Sequence, residues 1–332
     1  MTYVLGIDQG GSKTYALLAD ERGELCGFGS AQGASHFDSG LDKAISTVCE
    51  AVMGAIMQAG ITIDQISRIT AGLTGVDWPH EEKLLHEALS QALAVSTDKI
   101  TVMNDSLIAL RAGTSKPSGC ILCAGSGLNC AVRKGPDREY VFGYYIKNAD
   151  QGGMALGKRS MQAVFDAHCG LVEPTALTLP VLAHMHCDTV DELLFKKVTG
   201  QLSSKLVLLL PHVIEVAVLA GDAVAQRVMK SFARDIAQYA VAGLRRFSML
   251  EEETEVVLSG SVFKCKAPIL QNTVSEVIRA AAPMAKIVQG EYEPVVGAVL
   301  MVLDSLPGFD RAQIKQRIKR GALRFDMIRT PQ

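Results

Sequence analysis

Asp8-Gln9-Gly10-Gly11-Ser12-Lys13-Thr14 follows the apolar run Tyr3-Val4-Leu5-Gly6-Ile7 and leads into Thr14-Tyr15-Ala16-Leu17-Leu18. That order reads as a strand, a tight glycine turn and a second strand. Two consecutive glycines permit positive φ and a close approach of backbone to ligand. The turn amides can form a concave nest for anionic oxygens. Lys13 adds a positive charge, and Ser12 and Thr14 add hydroxyl donors. Asp8, at the strand end, suits a hydrated cation. The stretch predicts a hairpin that grips phosphate and magnesium; an ordinary turn explains the same letters.

The pattern recurs further on. Gly119-Cys120-Ile121-Leu122-Cys123-Ala124 reads as a buried strand, Gly125-Ser126-Gly127 as a turn, and 129–133 as a second strand. The repeat lies in the order of elements rather than in the letters. Lys116-Pro117-Ser118-Gly119 punctuates the chain before it, so we expect domains at 1–115 and 116–332. The second would carry a helical insertion, with its last helix packing back on the first domain.

Three short strands are expected within 3–29. Leu41, Ile45, Val48, Val52 and Ile56 recur at helical spacing and Gly60 follows as a stop, so 40–60 is an amphipathic helix. Ile66–Leu73 reads as a strand, 81–93 as a helix, and 100–103 as a strand ending at Asn104-Asp105, with a short helix over 107–112. Helices dominate 152–248, the longest beginning at Asp222 as N-cap. A strand at 255–258 leads into Gly260-Ser261, and helices follow at 268–281 and 297–303. Leu206–Leu219 is expected to be a buried helix, and the basic tail over 311–329 a solvated helix and strand.

The chain has 332 residues, 48% of them hydrophobic and 20% charged, which is enough for two packed domains. A net charge of −2 gives no basic field for nucleic acid or an anionic membrane. No secretory signal and no spanning helix is visible, so a soluble, cytoplasmic protein is expected. The eight cysteines are scattered and suggest no disulfide framework; Cys120 and Cys123 of Cys120-x-x-Cys123 read as core thiols. Gly152 to Arg159 is one residue from a P-loop, but Arg159 occupies the place of the magnesium-binding hydroxyl.

Two further features bear on chemistry. A carboxylate beyond the carboxyl end of a strand lies where α/β enzymes collect ligands, so Asp105 could accept a hydroxyl proton. Capping the helix at 107 explains it equally well. Leu258-Ser259-Gly260-Ser261-Val262-Phe263 is small enough for a flat ring such as adenine to lie on the backbone.

The ordered set of three turns and one carboxylate resembles the ATPase superfamily of actin, sugar kinases and heat-shock chaperones. More closely, it resembles the N-acetylglucosamine kinase and BadF/BadG-type ATPase family. Asp8–Thr14 is similar to the first phosphate motif, and Ala71-Gly-Leu-Thr-Gly-Val76 to a glycine segment at a strand end. Val102-Met-Asn-Asp-Ser106 is similar to the strand carrying the catalytic aspartate, and Leu122–Gly127 to the second phosphate motif. Gly221-Asp222 resembles the start of a long helix, Val257–Phe263 the adenosine motif, and Pro294–Ala298 the closing helix. The resemblance spans nearly the whole chain.

It implies an α/β fold of two ribonuclease H-like domains with ATP and Mg²⁺ in the cleft. Asp105 would be the base and Asp8 the metal residue. Gly10, Gly11, Ser12, Lys13 and Thr14 would meet phosphates, with Gly125, Ser126 and Gly127 opposite, and Gly260 and Ser261 would face adenosine. Ser35, His36, Asn104, Asp105 and Asp150 would bind the sugar. Two positions depart from the family pattern: Gln151 stands where a glutamate is common, and His36 near an expected Asn. The expected function is ATP-dependent phosphorylation of an amino sugar or N-acetylated hexose by a homodimer, with no nucleic-acid or membrane partner. An activator-type ATPase and a nucleotide-binding regulator are the alternatives.

Overall fold

The computed structural model describes residues 2–135, 138–306 and 311–329. The opening hairpin forms as read. Strands β1 (Tyr3–Gln9), β2 (Lys13–Asp20) and β3 (Leu25–Gln32) run antiparallel in sequence, with Gln9 opposite Thr14 where the first turn closes. Helix α1 (Leu41–Ala59) leads to β4 (Ile66–Leu73), helix α2 (Pro79–Leu93) to β5 (Ile100–Asn104), and α3 (Asp105–Gly113) follows at once. β4 pairs parallel to β1, and β5 parallel to β4, giving the order β3-β2-β1-β4-β5.

The second sheet contains β6 (Gly119–Ala124), β7 (Leu128–Arg133) and β8 (Glu139–Val141). Helices α4 (Gly152–His168), α5 (Thr178–His184), α6 (Val190–Val198), α7 (Ser204–Leu219) and α8 (Ala223–Arg246) precede β9 (Glu255–Ser259), α9 (Pro268–Ala281) and β10 (Lys286–Gln289). Its order is β10-β9-β6-β7-β8. Read from the far edge it repeats the first sheet, β8-β7-β6-β9-β10 for β3-β2-β1-β4-β5. The repeat in element order is therefore a repeat of topology, and the chain is an α/β protein of two ribonuclease H-like halves. Helices α10 (Pro294–Asp304) and α11 (Arg311–Arg324) close the chain.

Two compact units result. The first takes residues up to Ile121, Ala131–Val141 and the chain from Val288 onward; the second takes Leu122–Cys130 and Phe142–Ile287. In the first unit the two-residue alternation of strands supplies two cores. Leu5 and Ile7 face α1 and α2, meeting Val48, Val52, Leu85 and Leu89. Val4, Leu17 and Ala19 face the other way, onto Val295, Val299 and Leu303 of α10 and Ile314 and Ile318 of α11.

Two expectations are corrected. The tail is docked rather than solvated: Ile318 is 1% exposed, and Arg317 and Arg320 reach the β2–β3 turn at Arg22 O (2.9 Å) and Glu24 (2.6 Å). Its basic residues mark one face of an amphipathic helix. Helix α7 is only half buried, since Val216 is 68% exposed while Leu210 and Ile214 are fully covered. In the second unit, α8 begins as read, with the Asp222 carboxylate accepting from Ala225 N at 2.7 Å.

Candidate active site

β1, the central strand of the first sheet, carries Asp8 near its carboxyl end and buries it there. Gln9 anchors that strand end by donating to Ala44 O (2.7 Å) and Thr47 Oγ1 (2.9 Å) of α1. The turn closes by Gly10 N donating to Lys13 O at 2.9 Å. Gly11 and Ser12 are exposed, and neither Gly10 nor Gly11 takes positive φ, contrary to the expectation. The steric demand falls on Gly33, where a Cβ would lie 2.4 Å from the backbone of Gly11 and Ser12. The loop after β3 thus lies directly on the first turn. Thr14 is buried with its hydroxyl donating to Gln32 O (2.8 Å), so it braces the hairpin.

At the end of β5 the cap is supplied by a neighbour of Asp105. Asn104 is the N-cap of α3, accepting from Ser106 N at 2.9 Å. Its amide also donates to Asp77 Oδ1 at 2.9 Å, tying β5 to the loop after β4. That loop is shaped by Glu81, which accepts from both Asp77 N and Trp78 N at 2.8 Å.

Asp105 is left as the first residue of α3. Burial and the charge of Asp77 push its carboxyl up to about 6, against hydrogen bonds from Ser106 N, its own backbone and Thr74. Asp8 is pushed further, to about 7, by burial and by Asp105, with Glu293 adding and Lys13 and Arg329 opposing. Asp77 raises Asp105, and Asp105 raises Asp8 with Lys13 opposing; carboxyls shifted in this way mark a candidate functional site.

The loop after β3 brings two further residues. Ser35 is buried and bonds within its loop, donating to Asp38 Oδ2 (2.9 Å) and accepting from Asp38 N (3.1 Å). His36 is different. Both ring nitrogens are buried without a hydrogen-bond partner, its ring stacks on Phe37 at 4.2 Å, and it adjoins Gly75.

In the second unit, the Gly125–Gly127 turn closes on itself through Gly125 N to Gly127 O (2.9 Å). The first amides of α4 bond to it, Gly153 N to Gly125 O (2.8 Å) and Met154 N to Ser126 O (3.0 Å). The near-P-loop segment is therefore the brace of this turn. Gln151 accepts from Leu128 N at 3.1 Å. Gly260 has φ +99, and a Cβ there would lie 2.2 Å from Ala124 O, so the third turn is pressed on the strand that feeds the second. Asp150 is buried, held by Arg159 Nη2 (2.8 Å) and the Tyr239 hydroxyl (2.9 Å). Cys120 and Cys130 are fully buried in β6 and β7.

The BadF/BadG/BcrA/BcrD ATPase family matches residues 5–302. The chain belongs to that family. Two curated relatives are similar over most of its length. The N-acetylmuramic acid/N-acetylglucosamine kinase of Clostridium acetobutylicum is 26% identical over 306 residues, 91% of this chain and 98% of the relative. The glucosamine kinase GspK of Vibrio cholerae is 27% identical over 248 residues, 73% of this chain and 80% of the relative. A solved structure from Chromobacterium violaceum shares the fold with a TM-score of 0.67 at 20% identity, covering 91% of this chain and 99% of that one.

Within this BadF/BadG-type chain, the structure brings Asp8, the first turn and Asp105 to the strand ends of one unit. It brings Gly125–Gly127, Gly260 and Asp150 together in the other. Three residues escape sequence reasoning: Asp77, Glu293 and Arg329. Asp77 had a faint signal, since it closes the glycine segment after β4. Glu293 and Arg329 had none, being far from the turn in sequence.

Proposed function

We propose that this chain is an ATP-dependent kinase that phosphorylates a hydroxyl of an amino sugar or N-acetylated hexose. The observation that carries the reading is the pair of strand-end aspartates. Asp105, poised near 6, is ionised at neutral pH and close enough in basicity to take a hydroxyl proton as the γ-phosphoryl group transfers. Family membership and the two named kinases support the amino-sugar acceptor.

Asp8 fits the metal role. Its raised carboxyl is relieved by a cation, and Mg²⁺ needs only one or two protein carboxylates because it keeps waters and substrate phosphates. Bound there, Mg²⁺ would neutralise charge on the transferring phosphates. In the first unit, Gly10, Gly11, Ser12 and Lys13 line the phosphate turn that Thr14 braces. In the second, Gly125, Ser126 and Gly127 are its counterpart, with Gly260 and Ser261 for the nucleoside. The boundary at 115/116 separates the two repeats.

For the acceptor, His36 offers buried ring nitrogens with no protein partner, which an acyl or hydroxyl oxygen would satisfy. Ser35 and Asn104 hold the loops around it, and Asp150 is the sugar residue of the second unit. We further propose a cytoplasmic homodimer acting on a small-molecule sugar, with no nucleic-acid or membrane partner. Among the described residues no helix is long and apolar enough to cross a membrane.

The test is product identification. The protein is incubated with ATP, Mg²⁺ and, in turn, N-acetylglucosamine, glucosamine, N-acetylmuramic acid and glucose, and phosphorylated sugar is followed by ³¹P NMR. A new sugar-phosphate resonance with an amino sugar is expected. ADP release that no sugar alters, with no sugar phosphate, would favour the activator-type ATPase instead.

A further inference from the structure

Lys13, the one cation of the first turn, does not point into open solvent. Its Nζ lies 2.6 Å from Glu293 Oε2 and 4.2 Å from the centre of the Tyr15 ring. Glu293 comes from 280 residues away, immediately before α10. The same carboxylate accepts from Arg329, Nε to Oε1 at 3.1 Å and Nη2 to Oε2 at 3.4 Å.

Arg329 is not a stray tail contact. Glu293 N donates to Met327 O and Arg329 N to Glu291 O, each at 2.9 Å, around a bridge between Tyr292 and Ile328. Residues 327–329 are therefore registered against the segment that carries Glu293. Both residues lie within electrostatic reach of Asp8, which Glu293 pushes up and Arg329 pulls down. Burial raises the Glu293 carboxyl, but Arg329 and Lys13 outweigh it and hold it below its ordinary value.

One carboxylate with two cations differs physically from a simple ion pair. If Lys13 alone compensated Glu293, a phosphate could recruit Lys13 only by leaving a partly buried carboxylate bare. Arginine's fork can span both oxygens and keep the charge compensated.

We propose that Glu293 and Arg329 are positioning residues that form a counterion exchange for Lys13. Glu293 parks the ammonium at the phosphate turn while no nucleotide is bound. Arg329 keeps Glu293 neutralised when Lys13 turns to the phosphates. The inference rests on reading the turn as a nucleotide site, and deepens it by making Arg329, from the segment after α11, part of that site.

The test is calorimetric titration of Mg·ADP into the wild type, Arg329→Met, Glu293→Gln and the double variant, each first checked for a wild-type-like denaturation curve. Arg329→Met leaves Lys13 as sole counterion, so affinity should fall on the order of tenfold. Glu293→Gln frees Lys13 and should bind at least as tightly as the wild type, with no rise in KM for ATP. The double variant should bind like Glu293→Gln, because no carboxylate remains to hold Lys13. Arg329→Lys, which keeps charge but loses the fork, should fall between wild type and Arg329→Met.

Additive losses in the double variant, or unchanged binding in Arg329→Met, would overturn the exchange while leaving the kinase reading intact. A wild type that binds no nucleotide would overturn the kinase reading and the exchange with it.

Discussion

Asp105 illustrates how a residue's role is set by its neighbours. In the sequence it serves equally as cap or base, and Asn104 takes the cap. Replacing Asp105 with Asn keeps shape and removes the proposed proton acceptor, so kcat should fall by about 10²–10⁴ while the KM for ATP stays close to wild type in steady-state assays. Because the carboxyl sits near 6, the wild-type rate should decline as pH drops through about 6. Asp8 gives a stability prediction with a definite sign. Its carboxyl is raised from 3.8 to about 7 in the fold, so the ligand-free fold holds the proton more tightly than the unfolded chain. The stability it confers is present below about 4 and is lost as pH rises towards 7. Asp8→Asn should therefore gain stability over the wild type as pH is raised from 5 to 8, read from urea midpoints at each pH without Mg²⁺. Asp8, Lys13 and Asp105 could be singled out as candidates because they sit in short motifs at strand ends. Glu293 was not, because its meaning comes from a contact 280 residues away.

At the scale of elements, apolar periodicity served well wherever one face was buried and the other wet. The α1 pattern Leu41, Ile45, Val48, Val52, Ile56 gave a helix within a residue of the observed ends. The tail misled because Lys315, Arg317, Lys319 and Arg320 mask an i, i+4 pair, Ile314 and Ile318. Ile318→Ala separates the two descriptions. A docked α11 predicts a loss of about 2–5 kcal/mol in chemical denaturation, whereas a solvated helix would change stability by less than about 0.5 kcal/mol. The glycines teach a related lesson. Sequence pointed to Gly10 and Gly11, yet the tight contact is at Gly33, in the loop laid on the turn. Gly33→Ala must push backbone against backbone, so it should abolish the thermal shift produced by Mg·ADP while the unliganded fold still unfolds cooperatively.

At the scale of the whole chain, the duplication is written in order rather than in letters. Strand, glycine turn, strand occurs twice, and both sheets share one topology although their sequences differ. The repeat was therefore legible in the sequence, while the two ribonuclease H-like halves were what the family resemblance implied. The helices between β8 and β9 carry no motif that names an acceptor, so the sugar rests on family kinship and on His36. The most direct test of the account is ADP formation from Mg·ATP with and without N-acetylglucosamine or glucosamine, in the wild type and in Asp105→Asn. The account predicts turnover stimulated by one of these sugars that collapses in the variant. Sugar-independent hydrolysis that survives Asp105→Asn would contradict it.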